Sequence, residues 1–290
     1  MESGPESSIS QSDEDWRAAP EMVYPAAYLN EAINHEYKIT RLKDVFKEPV
    51  EWLWQGRIPR GAITMLDGDP EVGKSTLSLD LAARVSAGAR LPDGARKHMP
   101  APVLLVGAED SLAATVRPRL EAAGAALQHV HALEAVYTDE QPLGRPLRLP
   151  TDNRALHRAI MQTEAVLVII DPLMSFIDAE INSSIDQDVR KVLWPLAQTA
   201  EQTGAAIMIV RHLTKGSTGG PVIYRGGGSM GIIGAARSGL MAFTDLENDR
   251  SGETKVLAHT KSNLSRKAVP LDYKLVADPQ TGIGKIEWLV

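Results

Sequence analysis

The residues best suited to chemistry lie in Gly68-Asp-Pro-Glu-Val-Gly-Lys-Ser75, with Thr76 after them. Two glycines five apart, a lysine and a hydroxyl form the spacing of a loop that wraps nucleotide phosphates. Gly68 and Gly73 let the backbone turn its N–H groups inward, and the helix that follows adds its positive end. Lys74 would set a charge between the β- and γ-phosphates, and Ser75 would hold Mg²⁺ through its hydroxyl. Asp69, Pro70, Glu71, Val72 and Thr76 complete the nucleotide-contacting segment. An acid as close to the phosphates as Glu71 is tolerable only if its side chain points outward.

Three further groups follow apolar runs. Asp171 ends Ala165-Val-Leu-Val-Ile-Ile-Asp171 and suits the acid that supports the metal and its water shell. Glu109, after Pro102-Val-Leu-Leu-Val-Gly107, suits a base that orients the attacking water. Asp110 is its rival, and it also suits the cap of the next helix. His212, after Ala205-Ala-Ile-Met-Ile-Val210 and Arg211, is placed to bond a γ-phosphate and to report its loss.

The elements that position these groups are legible as patterns. Ala62-Ile-Thr-Met-Leu66 is apolar and strand-length, and Leu77, Leu81 and Val85 recur on one face of the following helix. Leu112, Val116 and Leu120 mark a second helix that stops at Gly124. A short strand near 130–136 and a proline-punctuated loop lead to a helix with Leu156 and Ile160, capped by Asp152. Val189, Val192, Leu193, Leu196 and Ala200 mark a long helix ending at Gly204. Strands alternating with helices predict an α/β fold, a mostly parallel sheet with helices on both faces and ligands at the carboxyl ends of the strands. From Ser238 onward, short alternating strands predict an antiparallel extension. Val50-Glu-Trp-Leu-Trp54 reads as an edge strand leading into the core, with Trp52 and Trp54 as packing anchors.

Of 290 residues, 43% are hydrophobic, enough for a sizeable core. Residues 1–15 carry five acids and no base. We expect residues 1–40 to form an acidic tail and a partly ordered arm bearing Tyr24, Tyr28 and Tyr37, and residues 41–290 to form one domain. The absence of cysteine excludes disulfides, thiolate zinc and a cysteine nucleophile. No apolar run spans a membrane and the amino end is unlike a signal peptide, so the expected location is the cytoplasm. A net charge of −6 argues against coating nucleic acid over the whole surface.

Taken together, these residues resemble the RecA-like ring ATPases, specifically the hexameric replicative helicases of the plasmid RepA type. The resemblance runs from Trp52 to Ser265 and rests on Trp54-Gln-Gly-Arg-Ile-Pro-Arg-Gly61, the phosphate loop, Ala108-Glu109-Asp110, Arg117-Pro-Arg-Leu120, the Asp171 strand, His212 with Lys215, and Arg225-Gly-Gly-Gly-Ser229 with Arg237 beyond. It implies ATP and Mg²⁺, a site shared between subunits, and translocation on single-stranded DNA with duplex unwinding in plasmid or phage replication. It implies Arg237 as the arginine finger reaching a neighbour's γ-phosphate, with Arg225 as the weaker alternative. Lys261 would be a second interfacial cation and Arg119 a residue stacked on adenine. Lys215, Tyr224 and Arg225 match the loop that grips the strand. The implied partners are further copies of the chain in a hexamer, single-stranded DNA, and a replication initiator or primase. We expect no separate primase-contacting domain of the kind in larger replicative helicases, which plasmid-type helicases also lack. Two alternatives stand beside this reading: a recombination or repair ATPase that binds DNA without unwinding it, and a nucleotide-gated assembly or loader protein.

Overall fold

The computed structural model describes residues 39–94, 99–183, 185–212 and 230–289, with side chains from 233 in the last segment. Contacts divide the chain into two units, up to Glu48 and from Pro49. In the first, the described residues hold one 3-10 turn, Leu42–Asp44. Tyr24, Tyr28 and Tyr37 of the expected arm lie outside the described residues.

The second unit runs β1 (Trp52–Trp54), β2 (Ile58–Pro59), β3 (Ile63–Gly68), α1 (Lys74–Ala87), β4 (Val103–Gly107), α2 (Arg117–Ala122), β5 (Val130–Ala132), β6 (Val136–Thr138), β7 (Gln141–Arg145), α3 (Asn153–Thr163), β8 (Leu167–Asp171), α4 (Asp186–Thr203), β9 (Ala206–His212), α5 (Met230–Ala235), β10 (Ser238–Thr244), β11 (Thr254–Ser262), β12 (Leu271–Ala277) and β13 (Gly284–Trp288). Nine strands form one sheet in the order β13-β12-β11-β10-β3-β9-β8-β4-β5. The six from β10 to β5 are parallel, and β11 to β13 extend the sheet antiparallel. This is the expected RecA-like α/β core with one correction: β10 pairs parallel with β3, so the antiparallel run begins one strand later.

Side chains alternate across the central strands, because successive residues of a strand face opposite ways. Leu66, Leu105, Ile169 and Val210 pack under α1 with Leu77, Leu81 and Val85. Their neighbours Met65, Leu104, Ile170 and Ile209 pack under α3 and α4 with Leu156, Val192 and Leu196. Both faces of these strands are therefore dry, and they read as unbroken apolar runs.

Three local expectations are corrected. Only Trp52–Trp54 of the supposed edge strand is a strand, and it pairs with β2 in a separate two-stranded sheet. The turn over Gln55–Arg57 folds it back before it can join β3. Trp54 is fully buried, edge-on to Trp288 at 6.2 Å and bonded through Nε1 to Asp93 at 2.9 Å, so it is the packing anchor expected. The loop after β5 contains the hairpin β6–β7. Asp152 does not cap α3 with its side chain. Its carboxylate turns back to accept from Arg145 and from the amide of Arg148, which outcompete the helix end.

Candidate functional site

The phosphate loop links β3 to α1, as its residue pattern requires. Gly73 has φ +78°, in the left-handed region, and a Cβ there would meet Leu275 Cδ2 at 2.5 Å. The left-handed φ is what favours glycine here, and the end of the Leu275 side chain fills the space a Cβ would take. Glu71 also has a positive φ, +67°, a strained position for a residue with a side chain. It is exposed, so its carboxylate faces outward as the sequence demanded. α1 begins at Lys74 with no side-chain cap, which leaves its first-turn N–H groups available to an anion.

Lys74 is 4% exposed, and its Nζ donates to the carbonyls of Gly68 (3.0 Å) and Asp69 (2.7 Å). Burial lowers its pKa, and the charges of Asp171, Asp69 and Asp67 oppose that shift. The lysine lies folded against the loop, with its ammonium on two of the loop's carbonyls.

The adjacent strand ends converge. Gly107 of β4 is in register with Asp171 of β8, so Glu109 emerges two residues past the level of Asp171. A cavity of about 490 Å³ is lined by Ser75, Glu109, Asp110 and Asp171 over an apolar floor that includes Leu105 and Ile169. Asp171 is pushed up mainly by burial and less by Glu109 and Asp110, while the Ser75 hydroxyl and His212 pull it down. A half-buried carboxylate bonded to a hydroxyl, with two more acids nearby, is an environment that favours a hard cation with oxygen ligands. Among the described residues no three acids or histidines converge as a metal cage. A divalent ion here would therefore take Ser75, Asp171 and oxygens from outside the protein. The set fits Mg²⁺, which keeps waters and shares its coordination with phosphate.

His212 ends β9 in register with Gly68, so it stands beside the start of the loop and is exposed. The residue before it has a structural task that strand spacing does not reveal. Arg211 is 2% exposed and grips the buried Asp67 of β3 with two hydrogen bonds, at 2.7 and 2.9 Å. This pair ties the strands that carry the phosphate loop and His212. Its one mark in the sequence is an acid and a base, each at the end of an apolar run.

The remaining candidates are placed differently. Asp110 pairs with Arg119 at 2.8 Å, and Ser111, not Asp110, caps the following turn by accepting from the amide of Ala114. The Arg119 guanidinium, expected against adenine, is thus engaged by its own chain. Arg237 is exposed and precedes β10, at the amino end of the parallel strands and so the opposite end from Lys74. Lys261, one strand over and in register with Gly239, donates to the carbonyls of Ile233 (2.6 Å) and Gly234 (2.9 Å). It closes the end of α5, and its pKa is lowered by burial and then by the charge of Arg237. Lys215, Tyr224 and Arg225 lie outside the described residues.

The β11–β13 extension also reaches the loop, which the sequence did not signal. Tyr273 Oη donates to the Val72 carbonyl at 2.8 Å, and Trp288 Nε1 donates to Asp80 of α1 at 2.9 Å.

Comparison with known proteins agrees with this arrangement. The chain is 31% identical over 185 residues to the DNA repair protein RadA of Halalkalibacterium halodurans, covering 62% of this chain and 34% of that protein. It is 28% identical over 170 residues to the DNA repair protein RadA of Bacillus subtilis, covering 57% of this chain and 31% of that protein. It thus spans about a third of the length of the curated relatives it matches. A family profile described as an AAA domain matches residues 33–218, which include the phosphate loop, Glu109, Asp171 and His212. The chain belongs to this AAA domain family, with a RecA-like P-loop ATPase core.

Proposed function

We propose that the chain is an Mg²⁺-dependent ATPase that assembles head to tail into a ring, moves along single-stranded DNA and unwinds duplexes during plasmid or phage replication. The observation that carries the proposal is the position of Arg237. From Ser238, opposite Thr64, to Ala242, opposite Gly68, the sheet rises four residues, about 13 Å. An exposed guanidinium at the far end of the strands serves a phosphate held by another copy better than one held by its own.

In this reading Lys74 leaves the loop carbonyls for the β- and γ-phosphates. Ser75 and Asp171 would hold Mg²⁺, which would neutralise phosphate charge. Glu109 accepts the proton of the water that attacks the γ-phosphorus. His212 donates to the γ-phosphate and passes its loss to the residues that follow, where Lys215, Tyr224 and Arg225 grip the strand. Arg237 offsets the charge that develops on the neighbour's γ-phosphate. A hexamer and a replication initiator or primase as partner belong to the same proposal.

The likeness to proteins named for DNA repair favours a second reading, a repair or recombination ATPase that binds DNA without unwinding it. The test is the ATPase rate with and without single-stranded DNA at a stated salt concentration, together with release of a strand from a forked duplex. Stimulation with release supports the motor; stimulation without release supports the second reading. No stimulation sinks both and favours a nucleotide-gated assembly protein. Arg237→Ala should keep nucleotide binding and lose turnover by about 10³-fold, the usual scale for a finger supplied in trans. Normal turnover in that variant removes Arg237 from the site.

A further inference from the structure

Two surfaces outside the nucleotide site are complementary to each other. The first is a hollow of about 730 Å³ beside α4. Gln187, Arg190, Lys191, Trp194 and Ala197 follow the spacing of one helix face, opposite the face that buries Val189, Val192 and Leu196. Gly234, Ala235 and Arg237 close the other side. Trp194 is 64% exposed, and Ala197, Gly234 and Ala235 offer a floor without bulk. The rim is basic: Arg190, Lys191 and Arg237 outnumber Asp186 and Asp188 in the first turn of α4, and Asp188 pairs with Lys191 at 2.7 Å.

The second surface is the β6–β7 hairpin. It holds Tyr137 and Leu143 out of the fold, 69% and 96% exposed, beside a turn of two acids, Asp139 and Glu140. The hairpin is stiff. Gly144 has φ +80°, and a Cβ there would meet Tyr137 Cε1 at 2.8 Å, so the ring lies directly over the glycine. At the base, Arg145 forks onto Asp152, with one arm at 3.0 Å, and Asp152 also accepts from the Arg148 amide. Two exposed apolar side chains on a braced hairpin make a rigid knob that needs little ordering on contact.

We infer that the hairpin of one copy seats in the α4 hollow of the next. Tyr137 and Leu143 lie against the Trp194 indole and the small-residue floor, while Asp139 and Glu140 meet Arg190 and Lys191. The contact joins two different surfaces of the same chain, so it propagates head to tail and closes into a ring or grows as a filament. It also orders the nucleotide site. Leu133 and Glu134, just before the hairpin, line the same cavity as Ser75 and Glu109. Arg237 lines the hollow. Seating the knob therefore carries Arg237 of one copy toward the cavity of the other. The inference rests on the proposed association of copies and names the surfaces that make it. A cationic, aromatic hollow would also suit a nucleic-acid strand. The apolar floor and the acidic knob on the same molecule favour the copy.

Because the chain has no cysteine, introduced ones report the contact unambiguously. Leu143→Cys and Trp194→Cys proteins, mixed with ATP and mildly oxidised, should give a disulfide-linked dimer containing one of each. Leu143→Asp, at an exposed position that leaves the fold intact, should weaken self-association tenfold or more by sedimentation. If oligomers form without the mixed crosslink, or form equally well with Leu143→Asp, this contact is wrong and the ring proposal stands. If the unaltered chain stays monomeric at high concentration with ATP and polynucleotide, both fall. If an oligonucleotide quenches the Trp194 contribution to fluorescence, read against Trp194→Phe, and blocks the crosslink, the hollow is a strand site and the inference is overturned.

Discussion

Arg211→Met puts the buried pair under the loop to its sharpest test. Asp67 and Arg211 are 3% and 2% exposed, and their bidentate bonds join adjacent strands at the level where the loop begins. Removing the guanidinium leaves a carboxylate stranded in the sheet, at a cost of about 3–5 kcal/mol. For a unit the size of Pro49–Val290, each kcal/mol lowers Tm by about 2–4 °C, so the melting point should fall by about 6–20 °C. Asp67→Asn removes the charge from the other half of the pair and should also lower stability. Replacing both with leucine removes the uncompensated charge, so the double variant should lose much less than the sum of the singles. Thermal unfolding followed by circular dichroism with ATP absent measures all three. Singles that cost under about 1 kcal/mol, or that add, would refute the claim that this pair anchors β3 to β9.

Two further outcomes follow from buried polar groups. Tyr273→Phe keeps the ring and removes the hydroxyl that donates to the Val72 carbonyl, so stability should fall by about 1–3 kcal/mol and the KM for ATP should rise; an unchanged KM would mean that this contact does not shape the loop. His259 is 5% exposed, with Nδ1 accepting from the Ala268 amide and Nε2 bonded to Ser238 Oγ, each at 3.0 Å. Burial, and then the charge of Arg57, lowers its pKa below the ordinary 6.5. The unfolded chain therefore takes up a proton near pH 6.5 that the folded chain resists. The stability is present above that pH and is lost as pH falls below it. His259→Gln should flatten the decline between pH 7 and 5.5 by up to about 1.4 kcal/mol per pH unit, read from urea midpoints; an identical slope in the variant would assign the decline to other groups.

What the sequence made legible was what repeats along a strand or helix. The loop, its flanking strand and helix, the Asp171 strand and the apolar face of α4 follow from local spacing, and each stands where that spacing put it. Side-chain choices between competing partners were not legible. Asp152 sits at the start of α3 and has the right chemistry for a cap, yet a nearby guanidinium offers its carboxylate a charged bond that a helix amide cannot match. Asp110 and Arg119 settle on each other for the same reason. The direction of β10 was hidden too. A short alternating strand reads alike in either sense, and only its pairing with β3 shows that it runs parallel.

The strands after β10 extend the sheet, and their contacts give them a second task. Tyr273 fixes the carbonyl of Val72, Leu275 packs where a side chain on Gly73 would sit, and Trp288 bonds Asp80 in the second turn of α1. These points follow the loop into its helix, and the groups that meet them come from the last two strands of the sheet. A flexible glycine loop gains anion-binding geometry only when its backbone is held before the anion arrives, because ordering it on contact would draw on the binding energy. In this chain the holding is done by residues some two hundred positions away. Truncation before β12 should therefore weaken nucleotide binding even though it removes none of the residues that contact phosphate.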